Sequence, residues 1–164
     1  MTGKQYKPGL ESFILKCLFH NLQFAFWYRK YQERPNLLRK VMLYRFSRKY
    51  GLEISPNAQI GQGLYPYSIT VGEGVILGCN VNLHKGCTIG KTNRGNIGSP
   101  CIGNNVFIGI NATLVGNIHI GDDVLIAPNS YVNVDIPSHS VVIGNPATIH
   151  HCDNATGSYV NYCV

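Results

Sequence analysis

In VNLHKGCTIGKTNRG, residues 81 to 95, a histidine stands where neighbouring stretches of the same rhythm carry glycine. Histidine is the side chain whose chemistry suits a base at neutral pH, so His84 in its neutral form can take the proton of an attacking hydroxyl. The bland reading is a polar residue at a bend. Glu73 can orient an imidazole or sit in a solvated turn. Lys91, Asn93 and Arg94 suit an anionic ligand such as a phosphate, or plain loop solvation. Cys17, Cys79, Cys87, Cys101, Cys152 and Cys163 form no CxxC pair. They imply no zinc site and read as small packing residues in a reduced, cytoplasmic compartment.

These side chains need a frame, and a repeat supplies one. From Ile54 onward aliphatic residues recur every six positions, usually followed by glycine or a small residue, as in VGEGVI, LGCNVN, LHKGCT, IGNNVF, IGINAT and IGDDVL. Neither a heptad nor a strand alternation of two explains glycine held at one phase. Each unit reads as a short strand plus a turn, with two inward residues, at the aliphatic position and four after it. Three units close one triangular coil, and stacked coils bury a continuous core. The rhythm breaks twice. IGQGLYPYSIT, from Ile60, holds eleven residues where two units need twelve, and KTNRGNIGSPC (91–101) reads as a loop extruded from a corner.

The charge lies elsewhere. Up to Tyr50 there are eleven Lys and Arg against Glu11 and Glu33, a net of +9; from Gly51 onward the net is −3. The basic third is a solvated helical face or one drawn to an anionic membrane surface. No module or base-stacking array points to nucleic acid. LESFILKCLFHNLQFAFWYRKY (10–31) is apolar but interrupted by Lys16, His20, Asn21 and Gln23. It reads as a helix packed on its own assembly or lying at an interface rather than spanning a membrane. A second helix begins near Pro35, with Leu37, Leu38, Val41 and Tyr44 at helical spacing, Arg45, Arg48 and Lys49 in its last turns, and Gly51 as C-cap. Residues 1–50 are therefore expected as a basic helical segment and 51–149 as the repeat domain. The tail 150–164 would cap the last coil, as the helices cap the first.

VGEGV (71–75), CTIGKTNRG (87–95), SPCIGNNVFIG (99–109) and VVIGNPA (141–147) resemble the left-handed parallel β-helix acyltransferases. Among these the chain is most similar to serine acetyltransferase-like proteins found with surface-polysaccharide genes. The resemblance implies a mainly β fold, a left-handed β-helix after a short helical segment, assembled as a homotrimer. It implies acetyl-CoA as co-substrate, in a groove between prisms edged by Lys91, Gly109, Ile110, Ala127 and Pro128, with Asn145 and Pro146 near the adenine. The basic residue such families often carry after this motif is replaced by Thr148-Ile149, with His150 and His151 beyond.

The family's Asp-His pair, which takes the proton from serine, falls in a stretch (Gly63 to Glu73) three residues shorter here. Its second histidine corresponds to Ser99. His84, in a unit that related polysaccharide-cluster proteins share, is then the candidate base. The expected reaction is O-acetylation of a sugar hydroxyl in polysaccharide biosynthesis, with peripheral membrane contact through the N-terminal helices. L-serine is the alternative acceptor, and a non-catalytic scaffold the other alternative. A zinc enzyme would need His84 and His119 to converge with a third ligand, and Val124 stands where that ligand is wanted.

Overall fold

The structure is a computed structural model describing residues 20–61 and 68–160. Residues 10–19 of the first helical stretch, most of the shortened one (62–67) and the last four of the tail lie outside the described residues. Among the described residues two helices come first, α1 (His20–Glu33) and α2 (Leu37–Tyr50). Asn36, not Pro35, starts α2: its extended backbone (φ −148°) lets its side chain accept from the Arg39 N–H at 2.8 Å, so Pro35 lies before the cap. Gly51 closes the helix in the left-handed region (φ 62°). The helical spacing of Leu37, Leu38, Val41 and Tyr44 is real, but these residues face solvent. Leu43 and Ser47 are the buried pair of α2, with Phe46 and Tyr50 packed on the core.

Fourteen short strands follow among the described residues: β1 (Glu53–Ile54), β2 (Gln59–Ile60), β3 (Thr70–Val71), β4 (Ile76–Leu77), β5 (Asn82–Leu83), β6 (Thr88–Gly90), β7 (Cys101–Ile102), β8 (Phe107–Ile108), β9 (Thr113–Val115), β10 (His119–Ile120), β11 (Val124–Ile126), β12 (Tyr131–Val132), β13 (Ser140–Ile143) and β14 (Thr148–His151). They form three sheets: a first of β1, β3, β6, β9 and β12, a second of β2, β4, β7 and β10, and a third of β5, β8, β11, β13 and β14. All pairings are parallel except β13 with β14. From β3 to β12 the chain visits the three sheets in turn, so one coil equals three hexads. Thr70 lies opposite Thr88 and Thr113 opposite Tyr131, steps of eighteen residues. Glu53 opposite Thr70 is a step of seventeen, the missing residue of the phase slip. Thr88 opposite Thr113 is a step of twenty-five, which accommodates the extruded loop without shifting the register.

The interior follows the hexad rule. Val71 and Val75, Leu83 and Cys87, Ile102 and Val106, Leu114 and Ile118 are all buried, each pair four residues apart. Each aliphatic side chain so removed from water contributes about 1.5–3 kcal/mol. Cys87 behaves as packing, its thiol pushed up to about 12 by burial. Where the chain turns from the second sheet to the third, Asn80, Asn105, Asp123 and His139 take left-handed backbone (φ 58°, 54°, 54° and 59°) one above the other. Asn and Asp tolerate this conformation best, and here the tight corner imposes it.

The two ends close differently. Below, α1 caps the first coil: the Tyr28 hydroxyl donates to the Ser55 and Ala58 carbonyls, Gln32 to Ala58, and the Arg29 guanidinium to Ile60 and Gly61. Above, among the described residues, β14 alone extends the third sheet. The described part of the tail then descends the outer face of that sheet instead of sitting over the last coil. The Asp123 carboxylate fastens it, accepting from the Ala155 N–H (3.0 Å), the Thr156 N–H (2.9 Å) and the Thr156 hydroxyl (2.7 Å). Its other close neighbour is His139 Nδ1 at 2.9 Å. Burial would raise this carboxyl's pKa, but the hydrogen bonds from Thr156, His139 and Ala155 outweigh it and hold the group at about 2.

Candidate functional site

His84 occupies the corner where the chain turns from the third sheet to the first. Its N–H donates to the Ile108 carbonyl (3.0 Å), that of Gly109 to Ile126 (2.8 Å) and that of Ala127 to Val142 (2.8 Å). His84, Gly109 and Ala127 therefore stack as one column. Beside it runs a second, Lys85, Ile110 and Pro128, tied by bonds from the Asn111 N–H to Lys85 (3.1 Å) and the Asn129 N–H to Ile110 (2.9 Å). Asn145 and Pro146, joined by a cis peptide, continue the corner on the last coil, after Gly144 accepts from the Tyr131 N–H at 3.0 Å.

One fold edge thus gathers His84, Gly109, Ile110, Ala127, Pro128, Asn145 and Pro146 from four stretches of chain. Lys91 stands apart. It follows β6, so it sits at the opposite edge of the first sheet, at the root of the loop. Within one protomer a sheet's width separates it from His84. Asn93 and Arg94 are exposed on the same loop, which Thr92 and Gly98 close by an antiparallel bridge and Asn96 ties to Asn117. Glu73 is on the Lys91 side too. Its carboxylate accepts from Asn57 Nδ2 (3.0 Å) and its carbonyl from the Ser99 hydroxyl (2.7 Å), so it serves a turn and does not orient His84.

The column is narrow for a structural reason. A Cβ on Gly109 would lie 2.6 Å from the Pro128 nitrogen and 2.9 Å from the Ala127 carbonyl carbon, both backbone atoms of the next coil. Stacking alone demands glycine there; Gly109 itself is buried, and the exposed column is the one beside it, Lys85, Ile110 and Pro128. The N–H groups of His84, Gly109 and Ala127 are engaged in stacking, whereas those of Lys85 and Ile110 carry no hydrogen bond among the described residues.

The imidazole is half-buried and rests on an aromatic wall. Its ring lies 4.6 Å from that of Phe107, tilted by 52°, and Phe107 in turn meets Tyr159 of the tail at 4.8 Å. Asn82 Nδ2 donates to the Tyr159 carbonyl at 3.4 Å, holding the tail there. The sequence reading missed both aromatic residues. Phe107 left one signal, an aromatic ring at an outward hexad position that Asn82 and Leu125 occupy on neighbouring coils. Tyr159 left none.

His119 projects from the second sheet, opposite Cys101, with its N–H on the Asp135 carboxylate (2.8 Å). It shares no corner with His84 in one protomer. Among the described residues no three His, Cys, Asp or Glu side chains are grouped to hold a metal ion. His150, two residues past Thr148 on β14, approaches the Thr148 hydroxyl at 3.4 Å, just beyond Pro146.

Comparison with known proteins places this geometry in a family. Residues 102–133 match the bacterial transferase hexapeptide (six repeats). Serine acetyltransferase 2 of Arabidopsis thaliana is 35% identical over 137 residues, covering 80% of this chain and 42% of that protein. The serine acetyltransferase of Helicobacter pylori is 31% identical over 144 residues, 85% of this chain and 80% of that one. The crystal structure of the Neisseria gonorrhoeae serine acetyltransferase in complex with serine superposes with a TM-score of 0.71 at 32% identity, over 88% of this chain and 62% of that one. The chain spans only 42%, 36% and 57% of the length of three such relatives, from Arabidopsis thaliana (two) and Synechococcus elongatus. With most of the Helicobacter protein matched and the same coil in the Neisseria structure, the chain belongs to the serine acetyltransferase family of hexapeptide transferases.

Proposed function

We propose that the protein transfers acetyl from acetyl-CoA to the hydroxyl of L-serine, working as a homotrimeric left-handed β-helix. The observation that carries the reading is the corner itself, which sets one imidazole beside the exposed column of Lys85, Ile110 and Pro128. The relatives favour serine over the sugar acceptor expected from sequence, and none of their names refers to polysaccharide synthesis.

The chemistry needs one base and no covalent enzyme intermediate, because a thioester is already activated. His84 accepts the hydroxyl proton as that oxygen bonds to the acetyl carbonyl carbon; the C–S bond breaks and the imidazolium returns the proton to the departing thiolate. The unengaged N–H groups of Lys85 and Ile110 suit the carbonyl oxygens of an extended pantetheine or the oxyanion. Lys91 and the loop it roots lie at the opposite sheet edge, where a trimer sets them against a neighbour's corner. His150 stands where a phosphate beyond Pro146 wants a cation.

One observation favours a sugar hydroxyl as a second reading. Tyr159, exposed and packed on the buried Phe107 ring that His84 also meets, offers a flat apolar surface on which a pyranose ring packs. Release of CoA thiol from acetyl-CoA, with L-serine and with nucleotide sugars, tests both. Wild type should respond to serine, and His84→Ala should lose about 10²-fold or more of that rate. Equal rates remove His84 from the mechanism, and a response to sugars alone overturns the serine assignment.

A further inference from the structure

We propose that the outward face of α2 docks on an anionic lipid surface. At about 100° per residue, Leu37, Val41, Tyr44 and Arg48 fall within about 60° of arc, with Leu38 and Arg45 bordering them on one side. The four apolar members are exposed by 79% (Leu37), 68% (Leu38), 54% (Val41) and 44% (Tyr44). Leu43, Phe46, Ser47 and Tyr50, on the other side, meet the rest of the fold. An apolar stripe of this size on a 14-residue helix is not explained by packing among the described residues of the protomer.

Charge selects the occupant. The stripe is bordered by exposed Lys40, Arg45, Arg48 and Lys49, with Arg34 just ahead of the helix, and α2 contains no acid. The one acid of the two described helices, Glu33, is held by Lys30 at 2.8 Å. A second copy docked by the same face would set basic residue against basic residue. An anionic interface instead takes the apolar stripe into the boundary between headgroups and acyl chains and pairs the flanking cations with lipid phosphates or carboxylates. No described helix is long and apolar enough to cross a membrane, so α2 lies along the surface.

The test is co-sedimentation of the full chain with vesicles of phosphatidylcholine alone and with about 30% phosphatidylserine added. Binding is expected only to the anionic vesicles and should weaken as salt shortens the screening length. Leu37→Ser/Val41→Ser/Tyr44→Ser and, separately, Arg45→Gln/Arg48→Gln/Lys49→Gln should each weaken it about 10-fold or more, circular dichroism confirming that both keep their helix content. If the first variant fails to fold, the second alone decides. A full chain that ignores anionic vesicles overturns the proposal, and light scattering then shows whether a second copy covers the face. Equal binding by the variants overturns it too.

Discussion

Replacing Asp123 by Asn should loosen the tail while leaving the coil intact. Asn keeps the shape and tolerates the left-handed backbone at this position (φ 54°), so the substitution isolates the charge. In the wild type three donors of the tail converge on the carboxylate, two from Thr156 and one from Ala155. Hydrogen bonds to a charged acceptor are worth about 1.5–3 kcal/mol, against about 0.5–1.5 for neutral ones. An amide oxygen has room for two of the three donors. The expected loss is about 2–3 kcal/mol of local stability, or about 30- to 160-fold in the opening equilibrium of the tail. Hydrogen exchange at the Ala155 and Thr156 amides reads this directly, while amides of the coil stay protected. The sign with pH is fixed: the folded carboxyl titrates at about 2, below its ordinary 3.8. The contribution is therefore complete above about pH 4 and lost as pH falls towards 2. Wild-type protection factors should decline across that window and those of Asp123→Asn should not. Equal protection in both proteins, independent of pH, would refute the latch.

The core and the corner yield further predictions. Leu114→Ala, at a fully buried inward position, should cost about 2–5 kcal/mol in chemical denaturation; a loss below 1 kcal/mol would contradict the stacked core. Gly109→Ala should push the next coil's backbone away at Pro128 and Ala127, lowering the melting temperature and raising KM for acetyl-CoA, while the same change at Gly90, with open space around it, should do neither. Exposed Cys152 should react with a thiol reagent in the native protein, whereas Cys87, held neutral by burial, should react only on unfolding.

Most of the coil was legible in one dimension because each hexad places its two inward residues by local geometry alone. Ile102 and Val106 or Leu114 and Ile118 needed no knowledge of their neighbours, and even the missing residue near Ile60 reappears as a step of seventeen. The corner was half legible: His84, Gly109 and Ala127 were each singled out, but their alignment depends on the excursion between β6 and β7 keeping its ends in register. Orientation escaped notice where a helix has two apolar faces. Leu37, Val41 and Tyr44 have core-like spacing, yet Leu43 and Phe46 pack inward. The path of the tail was illegible because Asp123 meets Thr156 across 33 residues of sequence, in contacts no period announces.

A coil whose every layer offers the next the same row of donors and acceptors has no intrinsic length. Its extent is set wholly at its ends. Here one terminus is sealed by side chains of α1 on the carbonyls of Ser55, Ala58, Ile60 and Gly61, and the other by a single antiparallel strand over one sheet of three. Growth by end-to-end addition of further molecules is therefore blocked from below and only partly from above. Tyr28 and Arg29 act as chain terminators in the polymer sense, occupying carbonyls that an unpaired sheet edge would otherwise present to another chain.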